Sequence, residues 1–357
     1  MTWEIVKTEV LDVLDHPNAD RLSLVKVMGY TSISAKLEDG SHRYNVGDTV
    51  IYIPEASVLN GKLLYTLGFW DDDRGKGTLA GSKGNRVKAT KLRGVVSQGL
   101  ILPESALDGM SVDDWVKYNK IYKYEPAIPS HLKNGITKVS EGTISYDVKH
   151  GQKEVDLFDA DDQVVVTEKI HGTLLMFGFY KTEDGVERII SSKGLAKNGF
   201  RISEESTHNI YVRMAAPFLD RREEDFAKHA LVGEKFLFIG EIYGQGVQDL
   251  HYSQQAPALR IFDVFRYVPD VGGRYLDYDV ASKCAQVSGL EWVPVLYRGS
   301  FGELDIPAYR DGNSSLDETT VREGVVVRTV HEVPHNRKCA KFVSPDYLTR
   351  RGGTEYN

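Results

Sequence analysis

Short apolar segments separated by turn-forming residues run through the first hundred residues of the chain. Four of these segments predict β-strands, at residues 5–14, 23–28, 49–53 and 99–102. Clusters of Asn, Asp and Gly lie between them, and these residues are typical of turns. Many short strands at close spacing favour a small β-barrel or β-sandwich. The pattern therefore predicts an all-β domain at the start of the chain.

From residue 163 onward, longer apolar segments alternate with helical patterns. The strand-like segments are VVVTEKI, TLLMFGFY, RIISS, KFLFIGEIYG, LRIFDVFRY and REGVVVRT. Apolar positions around Phe218 repeat at helical spacing and predict a helix that begins after Ser203 and ends near Asp220. A second helix is predicted over residues 277–288, because Gly289 is a suitable C-terminal cap. The pattern predicts an α+β domain of antiparallel sheets with flanking helices.

The length of the chain fits two domains, since 357 residues are too many for one ordinary domain. We predict an N-terminal domain over residues 1–105 and an α+β domain over residues 156–357. Residues 106–155 show weak periodicity and contain Pro126 and Pro129, so they are predicted to form a linker and an entry segment.

Composition indicates a protein of the cell interior. No apolar run approaches the ~20 residues that a membrane helix needs, and the N-terminus lacks the pattern of a signal peptide. The two cysteines, Cys284 and Cys339, are too few for a disulfide framework and favour the role of small buried hydrophobic residues. We therefore predict a cytoplasmic protein without a membrane partner, and we expect a monomer.

The net charge of −7 argues against a nucleic-acid partner, but the charge is unevenly distributed. Residues 74–94 contain seven basic residues and no acidic one. Because phosphate contacts are local, such a stretch can bind nucleic acid in an acidic protein, although a solvated loop has the same composition. The candidate nucleic-acid-binding residues are Arg74, Lys76, Lys83, Arg86, Lys88, Lys91 and Arg93.

The most informative chemical feature is Lys169, which lies in the sequence EKIHGT between two apolar strands. Burial disfavours an ammonium, so we expect the flanking strands to lower the pKa of Lys169, as a nucleophilic amine requires. Gly172 would let a nucleotide approach the backbone closely. A lysine followed by a glycine three residues later is common, and the alternative is a turn lysine in solvent.

Three further apolar strands each carry a charged residue: Glu241 in FLFIGEIYG, Glu323 in REGVVVR and Lys341 in KCAKFVSPDYL. An unpaired charge inside such a strand is costly. One residue of this kind is usually part of a structural ion pair. Three of them on separate strands are better explained by one shared site that holds a phosphate and a metal.

These segments, with LRIFDVF, resemble motifs I, III, IIIa, IV and V of the covalent lysyl-nucleotidyltransferases, in the same order. That superfamily includes DNA ligases, RNA ligases and mRNA capping enzymes, and EKIHGT, GEIYGQGVQ and IFDVF are most similar to the RNA ligase 2 branch. The sequence DHPNADRLSLVKV, with NVGDTVIYIP after it, resembles the opening of OB-fold tRNA-binding modules. Such a module before the catalytic domain is typical of Deinococcus-type RNA ligases. The resemblance implies an OB-like RNA-binding barrel followed by an ATP-grasp-like nucleotidyltransferase domain.

The resemblance also implies an ATP-dependent reaction in three steps. Lys169 would attack the α-phosphate of ATP and hold AMP covalently, AMP would pass to an RNA 5′-phosphate, and an RNA 3′-hydroxyl would then attack that end and release AMP. Glu323 would organise Mg²⁺, or Mn²⁺ in its place. The RNA substrate could be a nicked duplex, and the implied role is RNA repair.

The resemblance assigns the remaining motif residues to the nucleotide. The implied roles are Glu168 at the adenine, largely through its backbone; Lys193 at the ribose or phosphate, with Arg188 as a second candidate; Glu241 at the ribose hydroxyls; Phe262 stacked on the base; and Lys341 with Lys338 at the α-phosphate. His171 would assist adenylate transfer, or would only shape the turn. In the RNA ligase 2 branch the motif V lysines are one residue apart, whereas Lys338 and Lys341 are three apart.

Two alternatives stay open. An RNA-binding protein with an inactive transferase domain would explain the OB-like opening, although Lys169, Glu241, Glu323 and Lys341 are all intact. A capping guanylyltransferase or a DNA ligase would share the motif series. Those enzymes place an OB domain after motif V, whereas here 16 residues follow Lys341 and the OB-like segment comes first.

Overall fold

A computed structural model describes residues 3–124, 135–139, 144–333 and 336–350 of the chain. The described residues form two compact units: unit 1 comprises those within 1–126, 149–155 and 348–351, and unit 2 comprises those within 127–148 and 156–347. Part of the predicted linker, including Pro126 and Pro129, lies outside the described residues. The domain limits at residues 105 and 156 therefore stay predictions.

The regular elements are numbered along the chain. The strands are β1 (Val6–Asp15), β2 (Leu22–Val27), β3 (Tyr30–Ala35), β4 (Thr49–Ile53), β5 (Ser57–Val58), β6 (Trp70–Asp71), β7 (Lys76–Gly77), β8 (Thr90–Leu92), β9 (Val95–Ser97), β10 (Leu100–Pro103), β11 (Tyr122–Lys123), β12 (Ile136–Lys138), β13 (Lys149–His150), β14 (Gln163–Lys169), β15 (Thr173–Thr182), β16 (Gly185–Ser192), β17 (Phe200–Ile202), β18 (Lys235–Tyr243), β19 (Ala258–Val268), β20 (Gly272–Tyr275), β21 (Val295–Ser300), β22 (Gly324–Thr329) and β23 (Cys339–Val343). The helices are α1 (Gly61–Thr66), α2 (Val112–Tyr118), α3 (Lys193–Lys197), α4 (Ile210–His229), α5 (Tyr278–Val287), α6 (Ile306–Arg310) and α7 (Pro345–Leu348).

Unit 1 contains the predicted barrel. Its five-stranded antiparallel sheet has the order β10-β4-β1-β2-β3, and Thr31 in β3 accepts a hydrogen bond from the backbone of Gln98, just before β10, at 2.8 Å. Alternate residues of the strands, among them Val10, Val25 and Tyr52, pack inside the sheet because a strand presents every second side chain to one face. The predicted all-β opening of the chain is confirmed.

A second apolar cluster of unit 1 packs the helices against the barrel wall. Ile51 and Leu102, from β4 and β10, contact Leu64 of α1 and Trp115 of α2. Ser111 caps α2, since its hydroxyl accepts the backbone N–H of Asp114 at 3.1 Å. The strand that follows α2, β11, pairs with β5.

Unit 2 contains two antiparallel sheets. One has the order β16-β15-β18-β19-β20, and the other contains β23-β22-β14-β21 in that order. Helices α4 and α5 cover one face of the first sheet, where Phe177 and Phe238 pack against Phe218 of α4. The opposite face carries Met176, Leu237 and other apolar residues. The predicted α+β class is confirmed.

The first predicted helix of unit 2 is displaced along the chain. Helix α4 begins at Ile210, because the side chain of Asn209, and not that of Ser203, caps it by accepting the N–H of Tyr211 at 2.9 Å. It continues past Asp220 to His229, since the charged residues after Asp220 favour helix and point largely into solvent.

The second predicted helix is confirmed: α5 spans Tyr278–Val287, and Gly289 follows it with a φ of 73°. Within the described ranges, no helix combines the length and the apolar character that crossing a membrane requires.

Candidate active site

Four strands of unit 2 bring the charged motif residues together. Strand β14 ends at Lys169, which lies opposite Gly324, the first residue of β22. Glu323 directly precedes Gly324 in the chain. The Lys169 ammonium Nζ lies 2.5 Å from Glu323 Oε1. In β23, Lys341 lies opposite Val326, and Glu241 lies on the same face of β18 as Leu237 and Ile239. The predicted convergence of these residues is therefore present in the structure.

Burial alone lowers the pKa of Lys169, but Glu323 and Glu241 outweigh it and hold that pKa above its ordinary value. The expected lowering of the pKa of Lys169 is therefore wrong for this arrangement. The strand pattern indicated burial but not the two carboxylates. Lys169 is held as an ammonium until these carboxylates change protonation state or take another partner.

The pKa of Glu241 is also raised, but for a carboxyl group a raised pKa favours the neutral form. Burial, with the nearby charge of Glu323, raises the pKa of Glu241 to about 8, against the opposing effects of Lys169 and Lys193. The backbone N–H of Gly172 also donates a hydrogen bond to this carboxylate. Glu241 can therefore hold a proton near neutral pH.

The surroundings of Lys341 disfavour its protonated form. Burial, together with the positive charges of Lys169 and Lys193, lowers the pKa of Lys341 to about 7, although Glu323 and Asp147 oppose the shift. Lys193 itself is paired with Asp147, with Nζ 3.5 Å from Oδ1. The positive charges of Lys169 and Lys193 thus act on Lys341, and an added anion would relieve this repulsion.

The two carboxylate oxygens of Glu323 differ in their surroundings. Its Oε1 pairs with Lys169, whereas its buried Oε2 has no hydrogen-bond partner among the residues that the structure describes. A buried unsatisfied carboxylate oxygen suits a hard cation such as Mg²⁺. No group of three acidic, histidine or cysteine side chains capable of holding a metal occurs within the described ranges. A cation here would need phosphate or water to complete its shell.

Phe262 lies in a β-bulge of β19. Ile239 and Gly240 of β18 pair with Asp263 and Ile261, so that Phe262 is the extra residue. A bulge redirects a side chain locally, and the ring of Phe262 lies 5.4 Å from that of Tyr146, in a tilted arrangement. The hydroxyl of Tyr146 donates to Asp263 at 3.0 Å. Tyr146 was missed from sequence because it lies in the segment interpreted as a linker.

The turn after Lys169 is closely packed. A side chain at Gly172 would overlap the Ile242 carbonyl oxygen and come within 2.9 Å of Glu241 Cγ. Glycine is therefore required here by the packing of the turn on β18. The expectation that Gly172 admits a nucleotide is not needed to explain this residue.

His171 is buried in a hydrogen-bond network. Its Nε2 lies 2.8 Å from Asp249 Oδ1, and its Nδ1 lies 2.8 Å from the hydroxyl of Tyr347. The backbone N–H of His171 donates to the hydroxyl of Tyr252 at 2.7 Å. Both ring nitrogens thus have partners, and a carboxylate on Nε2 favours the tautomer that carries its proton there. Sequence reasoning identified His171 but not Asp249 or Tyr347, which carry no motif signal.

Glu168 has a different environment from its neighbour Lys169. Its buried carboxylate accepts the backbone N–H of Ser315 at 2.8 Å and the Ser315 hydroxyl at 2.6 Å, and it also contacts Ser314. Arg322 lies 3.7 Å away. This side chain fixes the loop that leads to Glu323, and a contact to adenine would have to come from the backbone.

Two predicted phosphate-binding residues are not brought into the cluster. Lys338 pairs with Asp159 at 2.5 Å and with Asp162 at 2.7 Å, so its predicted role at the α-phosphate with Lys341 is corrected. The cause is strand geometry, because residues three apart on a strand point to opposite faces. Arg188 instead binds the carboxylates of Glu204, Asp220 and Glu223.

The basic stretch of unit 1 is spread over several turns. Arg74 and Lys76 lie at the turn between β6 and β7. Arg93 has its carbonyl bound by the side chain of Asn18, at 2.9 Å, in the turn between β8 and β9. Arg74, Lys76, Lys83, Lys91 and Arg93 are exposed, and Arg86 and Lys88 are half-buried.

Comparisons with known proteins agree with this geometry. The model of the family described as RNA ligase matches residues 162–343, and a model described as an OB-fold domain matches residues 5–104. No curated protein matches the chain by sequence.

Solved structures of Naegleria gruberi RNA ligase are similar in fold. The structure with PPi has 21% sequence identity and a TM-score of 0.72, and it covers 98% of each chain. A mutant with ATP and Mn has 20% identity and a TM-score of 0.72, with 96% of this chain and 98% of that chain covered. A mutant with AMP and Mn has 20% identity and a TM-score of 0.73, with 96% and 97% covered.

Proposed function

Because this chain belongs to the RNA ligase family, we propose that it joins RNA ends with ATP, through an AMP bound covalently to Lys169. The observation that supports this proposal is the cluster of Lys169, Glu241, Glu323 and Lys341. In it Lys169, Glu323 and Lys341 come from one sheet and Glu241 comes from the other. The Naegleria gruberi relatives, whose structures contain ATP, AMP and Mn, support the choice of nucleotide and metal.

In the first step, the neutral amine of Lys169 attacks the α-phosphorus of ATP. The Nζ–P bond forms, the bond to the bridging oxygen breaks, and pyrophosphate leaves. Lys169 must first lose a proton. Glu241, whose pKa is raised to about 8, can take that proton only from its deprotonated form, which becomes populated as the pH approaches 8. Lys341 stabilises the charge that develops on the α-phosphate, because phosphate restores its protonated form.

A divalent metal fits the unpaired oxygen of Glu323. When bound, it supplies charge neutralisation of the phosphates. Lys169 loses its 2.5 Å partner to the extent that Glu323 engages such a cation, and its pKa then falls towards the value that burial favours.

The nucleotide is proposed to lie between Phe262, which stacks on the base, and the charged residues that bind ribose and phosphate. Tyr146 supports the Phe262 ring from the side. Glu168 acts at the adenine through its backbone, Lys193 at ribose or phosphate, and Glu241 at the ribose hydroxyls. Gly172 keeps the turn close to Glu241.

In the second and third steps, AMP passes from Lys169 to the 5′-phosphate of an RNA, and the 3′-hydroxyl of another end displaces AMP to form the new phosphodiester. His171, held by Asp249 and Tyr347, is proposed to assist the transfer of AMP. A nicked duplex is a possible substrate geometry, and RNA repair is the proposed role. ATP and RNA are both abundant in the cytoplasm, where we place the protein as a monomer.

Residues 1–105 are proposed to be the RNA-binding OB-like domain, residues 106–155 the linker and entry segment, and residues 156–357 the adenylyltransferase domain. The seven basic residues from Arg74 to Arg93 are proposed to bind RNA phosphates. Binding through these residues should weaken steeply with salt. Neutral substitutions at Arg86, Lys88 and Lys91 should weaken sealing and make it less dependent on salt, because fewer phosphate contacts are left, while adenylylation of Lys169 stays near normal. Equal loss of both activities would remove this assignment.

The decisive experiment follows covalent labelling by radioactive ATP and the mass of the intact protein. We expect label with ATP and Mg²⁺, none with Lys169→Arg, and normal labelling with Lys338→Ala, a lysine outside the cluster. Label in Lys169→Arg, or none in the native protein after pyrophosphate treatment to remove bound AMP, contradicts the proposal. Labelling by GTP alone would indicate a guanylyltransferase.

A further inference from the structure

Three tyrosines are exposed close together at the end of α2 and around β11. The exposed fractions are 64% for Tyr118, 59% for Tyr122 and 41% for Tyr124. Burial of an aromatic ring is normally favourable by about 1.5–3 kcal/mol. A cluster of rings left in solvent within one short segment is a feature of surfaces that bind a ligand.

Positive charges alternate with these rings. Lys117, Lys120 and Lys123 lie in the same segment, and no acidic residue occurs from position 115 to position 124. Two cations come from elsewhere in unit 1: the Lys62 ammonium is 6.0 Å from the centre of the Tyr118 ring, and the Arg86 guanidinium carbon is 4.5 Å from that of Tyr124. This local charge is opposite in sign to that of the whole chain.

The backbone beneath the rings is fixed. The side chain of Asn119 is buried and donates to the Trp115 carbonyl at 3.0 Å. The backbone carbonyl of Asn119 accepts a hydrogen bond from the side chain of Asn60 at 2.5 Å. Ile121 packs into the apolar cluster against the barrel wall, and Tyr122 lies opposite Val58 in β5. Little backbone entropy would be lost when a ligand binds to rings presented in this way.

We propose that Tyr118, Tyr122 and Tyr124, with Lys62, Arg86 and Lys117, form a tyrosine–lysine surface that binds a single-stranded segment of RNA. Bases stack on the rings and phosphates pair with the cations, a combination that binds single strands with little sequence preference. A protein partner is disfavoured because lysine is depleted in the centres of protein interfaces. The inference rests on the proposed function only in that RNA is the substrate. The tyrosine–lysine surface lies outside the basic stretch of residues 74–94, except for Arg86, which belongs to both.

The test is fluorescence anisotropy of a labelled, unstructured RNA of about 16 nucleotides, the upper site size of one OB-fold. We expect Tyr118→Ala with Tyr122→Ala to weaken binding about tenfold or more. Tyr118→Phe with Tyr122→Phe should bind as the native protein does, because phenylalanine keeps the stacking face. Tyr267→Ala is the matched control: it removes an exposed tyrosine of unit 2 that also has a lysine, Lys235, within 6.0 Å.

Thermal unfolding and labelling of Lys169 by ATP accompany each variant. Unchanged RNA affinity in the alanine variant overturns the inference while normal labelling leaves the proposed function intact. Equal weakening by the phenylalanine variant also overturns it, since the hydroxyl and not the ring face would then carry binding. Loss of self-association at unchanged RNA affinity would mark the surface as an interface between copies. Weakened binding in a protein that ATP never labels would support the surface and contradict the ligase.

Discussion

Unit 2 buries two clusters of charged side chains that differ in how their charges are matched. In the first, Asp263 accepts from Arg328 and from the hydroxyl of Tyr146, each at 3.0 Å, and also pairs with Arg337. Burial raises the pKa of Asp263, but the two arginines outweigh it and hold that pKa below its ordinary value. The Asp263 carboxylate stays ionised because both of its oxygens have hydrogen-bond or ion-pair partners.

In the second cluster, where Glu241 and Lys341 are partly exposed, burial outweighs the effect of neighbouring charges. The pKa of Glu241 rises to about 8 and that of Lys341 falls to about 7, while one oxygen of Glu323 stays unpaired among the described residues. Structural ion clusters and reactive sites both shift pKa values. A carboxylate that lacks a partner on one oxygen, such as Glu323, indicates the site, whereas a carboxylate paired with two arginines, such as Asp263, indicates the scaffold.

The largest effect is expected in the scaffold cluster. Asp263→Ala leaves the buried Arg328 and the half-buried Arg337 with Glu332 as their remaining carboxylate, and we expect a loss of about 3–5 kcal/mol in the free energy of unfolding. Urea unfolding followed by fluorescence measures it. Glu323→Gln, in the other cluster, should change stability far less. A comparable loss in both variants would remove the distinction between the two clusters.

The next effect concerns the rate of lysine adenylylation. Glu323→Gln removes the partner of Lys169 and the proposed metal ligand, so we expect labelling to slow by about 10²–10³-fold, as for loss of one charge-stabilising group. Single-turnover labelling with ATP measures the rate. If Glu323→Gln is instead labelled at a rate near that of the native protein, Glu323 is a structural counter-ion and takes no part in the reaction.

A smaller effect is expected where Asp249 orients His171. Asp249→Asn removes the carboxylate at Nε2, and a charge-assisted hydrogen bond of about 1.5–3 kcal/mol corresponds to about 10–100-fold in rate. We expect the loss in transfer of AMP from labelled enzyme to RNA, with adenylylation of Lys169 little changed. Tyr347→Phe should have a milder effect on the same step. An equal loss in both steps would point to a folding role for the network.

The smallest effect is a change in the pH dependence of stability. Between about pH 5 and pH 8 the folded protein keeps the proton of Glu241, which the unfolded chain releases near its ordinary pKa of 4.5, so stability falls as pH rises. Above about pH 7 the unfolded chain binds the Lys341 proton that the folded state has released, so stability rises towards pH 10.5.

Glu241→Gln should flatten the lower part of this profile, and Lys341→Met should flatten the upper part. Thermal unfolding at a series of pH values measures both. A native profile that rises from pH 5 to pH 8 and is unchanged in Glu241→Gln would contradict the raised pKa of Glu241.

Local patterns in the chain were enough to predict the strands, the α+β class and the convergence of four charged residues. Alternation of apolar residues specifies a strand without knowledge of its neighbours, and a charge inside such a strand is costly wherever the strand packs. Helix α4 was predicted less well, because its start depends on the Asn209 cap and its charged C-terminal half lacks an apolar period. The domain limits and the roles of the site residues stay predictions.

What local pattern could not reveal was the direction and the partner of each side chain. Glu168 and Lys169 are adjacent in sequence but have different partners. The Glu168 carboxylate accepts from Ser315 and holds that loop, whereas the Lys169 ammonium donates to Glu323, 154 residues away in the chain. Lys338 and Lys341 look equivalent until strand alternation separates them. The raised pKa of Lys169 follows from the approach of two carboxylates on other strands. Such pairings depend on sheet order and register, which are long-range packing outcomes, because Coulomb energies follow distance in space and not separation along the chain.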